Sequence, residues 1–182
     1  MSSTPSAARP ARHERSARSE AAGFQALDTA HAAALSMLEQ FAHLVEQLAG
    51  PGLDDTARRH AHEVLRYFDG PGRHHHEDEE RLVFPALLSC GDDGLVAQVR
   101  RLQQDHHWLE QDWRELQPHL QAVAEGMNGY DLPLLQAALP VFAALYQDHI
   151  SLEETLVYPA ARRVLHRQRE ARHARLAASA QP

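Results

Sequence analysis

From Glu20 to Ala49 the apolar residues Leu27, Ala34, Leu38, Phe41, Val45 and Leu48 fall at steps of three, four and seven, the spacing of one face of an α-helix. His31 lies on that stripe. Gly50-Pro51-Gly52 ends it, and Asp54 and Asp55 open a second helix predicted to run through Asp69. Gly70-Pro71-Gly72 then interrupts the pattern as a kink or a loop, before a helix that carries His75 to about Ser89. After the turn Gly91-Asp92-Asp93-Gly94, the stretch from Leu95 to Glu125 places Leu102, His106, Leu109, Trp113, Leu116 and Leu120 on one face, with a kink expected at Pro118. Asp131 caps the next helix, predicted to pass Pro140 and Pro159 and to end near Arg169. Strand signals are missing. The pattern predicts an all-α chain, an antiparallel up-down four-helix bundle with short links.

The pattern also repeats. His75-x-x-x-Glu79-Glu80-x-Leu82-Val83-Phe84-Pro85-Ala86 returns as His149-x-x-x-Glu153-Glu154-x-Leu156-Val157-Tyr158-Pro159-Ala160. His31 to His106 is an offset of 75 and His75 to His149 one of 74, and the same alignment superposes Leu27 on Leu102 and Phe41 on Leu116. A duplicated helix pair is expected, each half a helix with one His followed by a helix with His-x-x-x-Glu.

Composition changes this picture at the ends. Residues 1–19 are rich in Ser, Ala, Pro and Arg with almost no large apolar side chain, so they are expected to be a disordered tail, a composition that organellar transit peptides share. The domain is placed at residues 20–169, and a frayed tail at 170–182. Residues 20–161 hold 8 Arg against 23 Asp and Glu, a net of −15, and Lys is absent from the chain. So acidic a body argues against a nucleic-acid surface and suits a cation. The single cysteine, Cys90, permits no intrachain disulfide, and no apolar run is long enough for a membrane span. A cytoplasmic protein is the expectation.

In a bundle, inward side chains from facing helices meet at one level, which brings together His31, His75, Glu79, His106, His149 and Glu153. Burying four imidazoles and two carboxylates without a partner costs several kcal/mol. A metal ion removes that cost. The donor set suits iron, zinc, manganese or copper, and six ligands with two carboxylates able to bridge fit two ions better than one. Ferritin-like di-iron bundles use Glu-x-x-His, a spacing found here only as Glu170 and His173. His76 with Glu80 is a rival register, but His75 alone keeps the distance to the repeated Glu-Glu and Pro. His74, His76 and His107 are therefore read as supporting or solvent-facing, and His43, His60, His62, His119 and His166 as surface residues. Trp113, Phe142 and Tyr146 are read as core, with Tyr146 one turn before His149 and within reach of a bound metal or its ligand.

The order H…HxxxE…H…HxxxE over about residues 20–165 resembles the hemerythrin-like, HHE cation-binding proteins. That resemblance implies a non-haem di-iron site, with His31, His75, Glu79, His106, His149 and Glu153 as ligands and Glu79 and Glu153 as bridging carboxylates. Oxygen-carrying members have a second His four residues after the third-helix His, where this chain has Glu110, which either coordinates or is an exposed helical acid. They also place an aspartate five residues after the last His, where this chain offers Glu153 at four and Glu154 at five. The implied function is binding, sensing or reduction of dioxygen, peroxide or nitric oxide, within iron or redox homeostasis, with no nucleic-acid or membrane partner. Two rival readings are an iron-dependent oxidoreductase or iron-sulphur repair protein, and a structural zinc-binding interaction module. Repair proteins of this kind usually add a cysteine-bearing N-terminal domain, which residues 1–19 do not supply.

Overall fold

A computed structural model of the chain describes the backbone of residues 12–179 and the side chains of residues 22–179. Of the tail expected at residues 1–19, residues 1–11 lie outside the described residues, as do residues 180–182. Seven helices follow in order: α1 (Arg12–Ala49), α2 (Asp55–Asp69), α3 (Pro71–Leu82), α4 (Phe84–Leu88), α5 (Asp93–Ala124), α6 (Leu132–Leu152) and α7 (Tyr158–Ser179), with a π-helical turn at Glu153–Val157 joining the last two. No strand occurs among the described residues. Helix α1 packs on α2 and α6, and α5 on the same two, which closes a ring of four.

The aspartates at the helix starts do what their chemistry allows. The carboxylates of Asp54, Asp92 and Asp131 accept from the backbone N–H groups of Ala57, Leu95 and Leu134 at 2.8, 3.0 and 3.0 Å, satisfying amide donors that a helix start leaves open. At the end of α1, Gly52 takes φ 93°, a left-handed conformation that costs glycine little, and its N–H closes on the Gln47 carbonyl at 2.8 Å.

Two interruptions shape the site. At Gly70 the chain bends between α2 and α3, and buried Gly72 lies so near Tyr67 that a Cβ there would stand 3.2 Å from the tyrosine ring. Tyr67 in turn donates to the Ala30 carbonyl at 3.0 Å, next to His31. The second interruption occurs in both copies of the repeat, where a proline ring would collide with the carbonyl four residues back. Before Pro85 the helix breaks at Val83, and before Pro159 it widens to a π turn in which the Tyr158 N–H reaches back to the Glu153 carbonyl. Pro118 and Pro140, by contrast, lie inside unbroken helices.

Both terminal helices exceed the expected boundaries. Helix α1 begins at Arg12 rather than Glu20, and α7 continues to Ser179 rather than ending near Arg169. The lack of large apolar residues reports on core contacts. Ala and Arg, which dominate these segments, are strong helix formers in their own right.

The core comes in two parts. One holds Phe41, Leu44, Leu116, Leu120, Leu135 and Phe142, and the other Phe24, Leu27, Phe84, Leu87, Leu102 and Tyr158. His31 falls between Leu27 of one and Ala34 of the other, and His106 between Leu102 and Leu109. The buried polar residues thus form a layer between two apolar blocks. Each large side chain there stabilises the fold by roughly 1.5–3 kcal/mol, which is what holds a costly polar layer in place.

Candidate metal centre

Helix α3 presents His75, His76 and Glu79 to the interior. Glu79 is four residues from one histidine and three from the other, and both spacings are neighbours on a helix. His75 turns toward α1, where its ring meets His31 edge-on at 4.8 Å between centroids. His76 turns toward α5 and stacks on His106 at 4.2 Å. The donor atoms of His31, His75, Glu79 and Glu153 form one cluster, and those of His76, Glu79, His106 and His149 a second, each within 4.8 Å. Glu79 belongs to both.

Distances inside the layer are short. His31 Nε2 lies 3.1 Å from Glu153 Oε2, and His149 Nε2 3.2 Å from the same oxygen. Glu79 receives His75 Nε2 at 3.4 Å on Oε1 and His106 Nε2 at 3.4 Å on Oε2. The two carboxylates therefore stand between the imidazoles of both clusters.

Asp105 Oδ2 stands behind His149 at 4.0 Å from Nδ1, beyond hydrogen-bond reach. Two other rings do have carboxylate partners: His31 Nδ1 is 3.0 Å from Glu154 Oε1, and His106 Nδ1 is 3.1 Å from Glu80 Oε1. Such a contact fixes the tautomer and leaves Nε2 as a lone-pair donor toward the centre. The aromatic residue of each repeat then lies flat on the histidine that its own Glu-Glu holds, Phe84 on His106 at 5.6 Å and 16°, and Tyr158 on His31 at 5.3 Å and 11°. The copies differ in one oxygen, because the Tyr158 hydroxyl donates to Glu79 Oε1 and stands 3.1 Å from His31 Nε2.

Electrostatics follow from burial. Burial, reinforced by neighbouring imidazoles, lowers His75 to about 4 and His149 to about 3, and it takes His76 well below the ordinary value. These rings are neutral donors at pH 7. Burial and the adjacent Glu79 push Glu153 up. Glu79 is held below the usual carboxylate range, because the surrounding imidazoles, His106 foremost, outweigh its burial. Burial, with both glutamates nearby, raises Tyr158, and its phenol keeps its proton.

A cation fits this layer on an observation independent of any likeness. Ten buried side-chain atoms lack a hydrogen-bond partner among the described residues: both nitrogens of His75 and of His149, both oxygens of Glu153, and one atom each of His76, Glu79, Asp105 and His106. Orphaned polar atoms are rare in folded proteins and each costs about 1–3 kcal/mol. All ten lie in this one layer, and nine belong to cluster residues.

The six residues expected to converge do so. Glu110 is not brought into either cluster: its carboxylate is half-exposed and accepts from Arg114 at 2.7 Å. Tyr146 is buried beside the layer, its ring 6.4 Å from His149 and 5.5 Å from His76, and is not among the cluster residues. The reading of His76 as supporting or solvent-facing is corrected, since the bend at Gly70 lets α3 offer two adjacent positions to two different neighbours. His119 is half-buried rather than a free surface residue and accepts from the Asp131 N–H at 3.0 Å. Sequence reasoning misses Glu80, Glu154, Asp105 and Tyr158. The repeated Glu-Glu and the repeated aromatic were the available signals for three of them, and Asp105 had none.

Two histidine–carboxylate clusters sharing a glutamate, inside an all-helical bundle, define a cation-binding helical protein. The chain belongs to the hemerythrin HHE cation-binding domain family, whose sequence model matches residues 22–161. It is also similar to an uncharacterized protein of Haemophilus influenzae, 26% identical over 127 residues that cover 69% of this chain and 71% of that protein. No solved structure gives a significant match. No described helix is long and apolar enough to cross a membrane.

Proposed function

We propose that this chain is a non-haem di-iron protein that binds dioxygen, peroxide or nitric oxide, in sensing or reductive handling of these molecules. The observation that carries the reading is the set of nine orphaned donor atoms divided between two clusters with Glu79 in common. His31, His75, Glu79 and Glu153 would hold one iron, and His76, Glu79, His106 and His149 the other. Bound iron supplies the one-electron chemistry that such ligands require and that no side chain offers.

The chain's own residues do the rest. Glu154 and Glu80 orient His31 and His106, and the two apolar blocks keep water from the layer above and below. Tyr158 holds a proton at its phenol oxygen beside the shared Glu79, on the side of the first cluster only. The same paired geometry supports an up-down antiparallel bundle derived from a duplicated helix pair, with a domain of about residues 20–169.

The test is elemental analysis of the purified protein with optical spectra recorded under air and without it. About two irons per chain, with a visible band that appears on oxidation, is the expected result. One zinc per chain after growth in iron-rich medium would leave the structural reading in its place.

A further inference from the structure

Four rings on four helices follow one another outward from the second cluster: His76 of α3, Tyr146 of α6, Phe68 of α2 and Trp113 of α5. Their centroids are 5.5, 5.8 and 5.0 Å apart in that order, each within the range of directly interacting rings. Phe142 adds a parallel step, 5.6 Å from Tyr146 and 6.3 Å from Trp113. Ring contact is therefore continuous from a cluster histidine to Trp113, which lines a surface groove between α3 and α5.

The outer end of this chain carries a base. Trp113 Nε1 donates to Asp69 Oδ1 at 2.8 Å, and Asp69 is exposed. An indole that has lost an electron is a far stronger acid than a neutral one, and a carboxylate already in hydrogen-bond reach takes its proton without rearrangement. Electron and proton can thus leave the same residue together. The other phenol at the layer, Tyr158, offers no such exit, because it donates to Glu79 and is enclosed by the second apolar block.

We propose that these rings form a discharge path for peroxide chemistry, in which electrons leave Trp113, pass by way of Phe68 and Tyr146, and reach hydrogen peroxide that is being reduced at the histidine layer. The inference rests on the di-iron reading and adds to it a path and an end point. The balance closes on Trp113. Its indole gives up two electrons in succession, passes its N–H proton to Asp69 after the first, takes the oxygen of a water from the groove, and ends with a ring C–H replaced by C–OH, its N–H restored and two protons released in all. Hydrogen peroxide accepts the two electrons and two protons and leaves as two waters. The net change is one peroxide and one indole to one hydroxyindole and one water, and the oxidation is spent on a residue outside both clusters.

The experiment adds hydrogen peroxide to the full-length iron-loaded chain and locates the added oxygen by fragment mass spectrometry. The chain has two tryptophans, and they give opposite answers, since Trp108 is 50% exposed and outside the ring path whereas Trp113 is 8% exposed. A freely diffusing oxidant attacks Trp108 first. The ring path predicts oxygen at Trp113 about tenfold ahead of Trp108, a preference lost when the iron is stripped. Freeze-quenched samples should hold an indole radical whose electron paramagnetic resonance spectrum is the same in H2O and D2O, because its N–H proton has passed to Asp69. In Asp69→Asn, which keeps the acceptor and removes the base, that spectrum should narrow in D2O. Phe68→Leu should cut Trp113 oxidation about threefold, the Phe142 step remaining, while the iron content of the variant reports that the bundle has folded. Oxidation of Trp108 first or equally, the same Trp113 preference without iron, no oxidised indole at all, indifference to Phe68→Leu, or an Asp69→Asn radical identical to wild type would each overturn the path and leave the di-iron reading standing. Failure of the chain to hold iron would remove both.

Discussion

His31 Nδ1 lies 3.0 Å from Oε1 of Glu154, a residue 123 positions away that directly follows the cluster carboxylate Glu153. Glu80 stands in the same relation to His106, again one residue after a cluster carboxylate and on a different helix from the ring it holds. Each Glu-Glu pair thus puts its first member into the clusters and uses its second to aim a histidine. Removing the aim should loosen the metal without removing a ligand. Glu154→Gln and Glu80→Gln are expected to lower metal affinity by ~10- to 100-fold, measured by competition with a chelator of known strength. Affinities equal to wild type in both variants would show that the contacts are incidental.

Direct ligands should behave differently. In metal-loaded protein His75→Ala and His149→Ala are expected to lose metal and to lower the melting temperature, because metal binding stabilises only the folded state. His76→Ala should lose about half the metal, since it serves the second cluster alone. His62→Ala, on the exposed face of α2, should change neither quantity. Metal content by elemental analysis beside a thermal melt checks all four, and full metal retention in His76→Ala would remove it from the site.

How much of this could be read from the chain follows from which forces are local. Helical stripes, the aspartate caps and the repeat depend on residues near one another in sequence, and they located the helices and the six converging residues. His76 was misplaced because periodicity on an ideal helix gives one inward line, whereas the bend at Gly70 and the packing of α3 against both α1 and α5 make two adjacent positions inward. Asp105 left no trace, since a buried acid four residues before a cluster-adjacent leucine looks like any solvated helical residue until the bundle closes over it. The lengths of α1 and α7 were underestimated for the opposite reason, that a helix can persist where no core exists.

Acid should unfold the chelator-treated protein early. His75 and His149 are lowered to about 4 and about 3 by burial, so from about pH 6.5 downward the unfolded chain takes up protons that the folded chain refuses. The contribution of each of these rings is complete above pH 6.5 and falls as pH drops, by about 1.4 kcal/mol per pH unit. His76 adds to the slope, the raised carboxyl of Glu153 opposes it, and His106, raised by its carboxylate neighbours, opposes it above pH 6.5. Denaturant titrations at pH 7.5, 6 and 5 measure the slope. Constant stability across that range would mean that these rings are not buried as neutral donors.

Glu110 tests the membership of the clusters. Its half-exposed carboxylate accepts from Arg114 rather than joining either cluster, so Glu110→Ala should leave metal content and melting temperature within experimental error of wild type. Loss of one metal in Glu110→Ala would return the residue to the ligand set.

Tyr158 is, beside His76 (Ile150 in the second copy), a place where the two copies of the repeat differ at the clusters themselves. Phe84 and Tyr158 lie flat on His106 and His31 in matching geometry, so their rings do the same packing work, and only the hydroxyl is extra. That hydroxyl donates to Glu79, the carboxylate common to both clusters, and touches His31. Tyr158→Phe therefore deletes one oxygen and turns the second copy's geometry into that of the first. Packing is kept, and the cost should be that of a hydrogen bond to a charged acceptor, about 1.5–3 kcal/mol. Because the lost contact holds Glu79 in place, metal should leave the variant faster while the number bound at saturation stays the same. The visible spectrum of the oxidised, iron-loaded protein should shift as well, since the shared carboxylate changes its hydrogen bonding. Release rates into excess chelator, saturation stoichiometry and the spectrum separate the possibilities. A variant with an unaltered release rate and spectrum would reduce Tyr158 to a packing residue like Phe84.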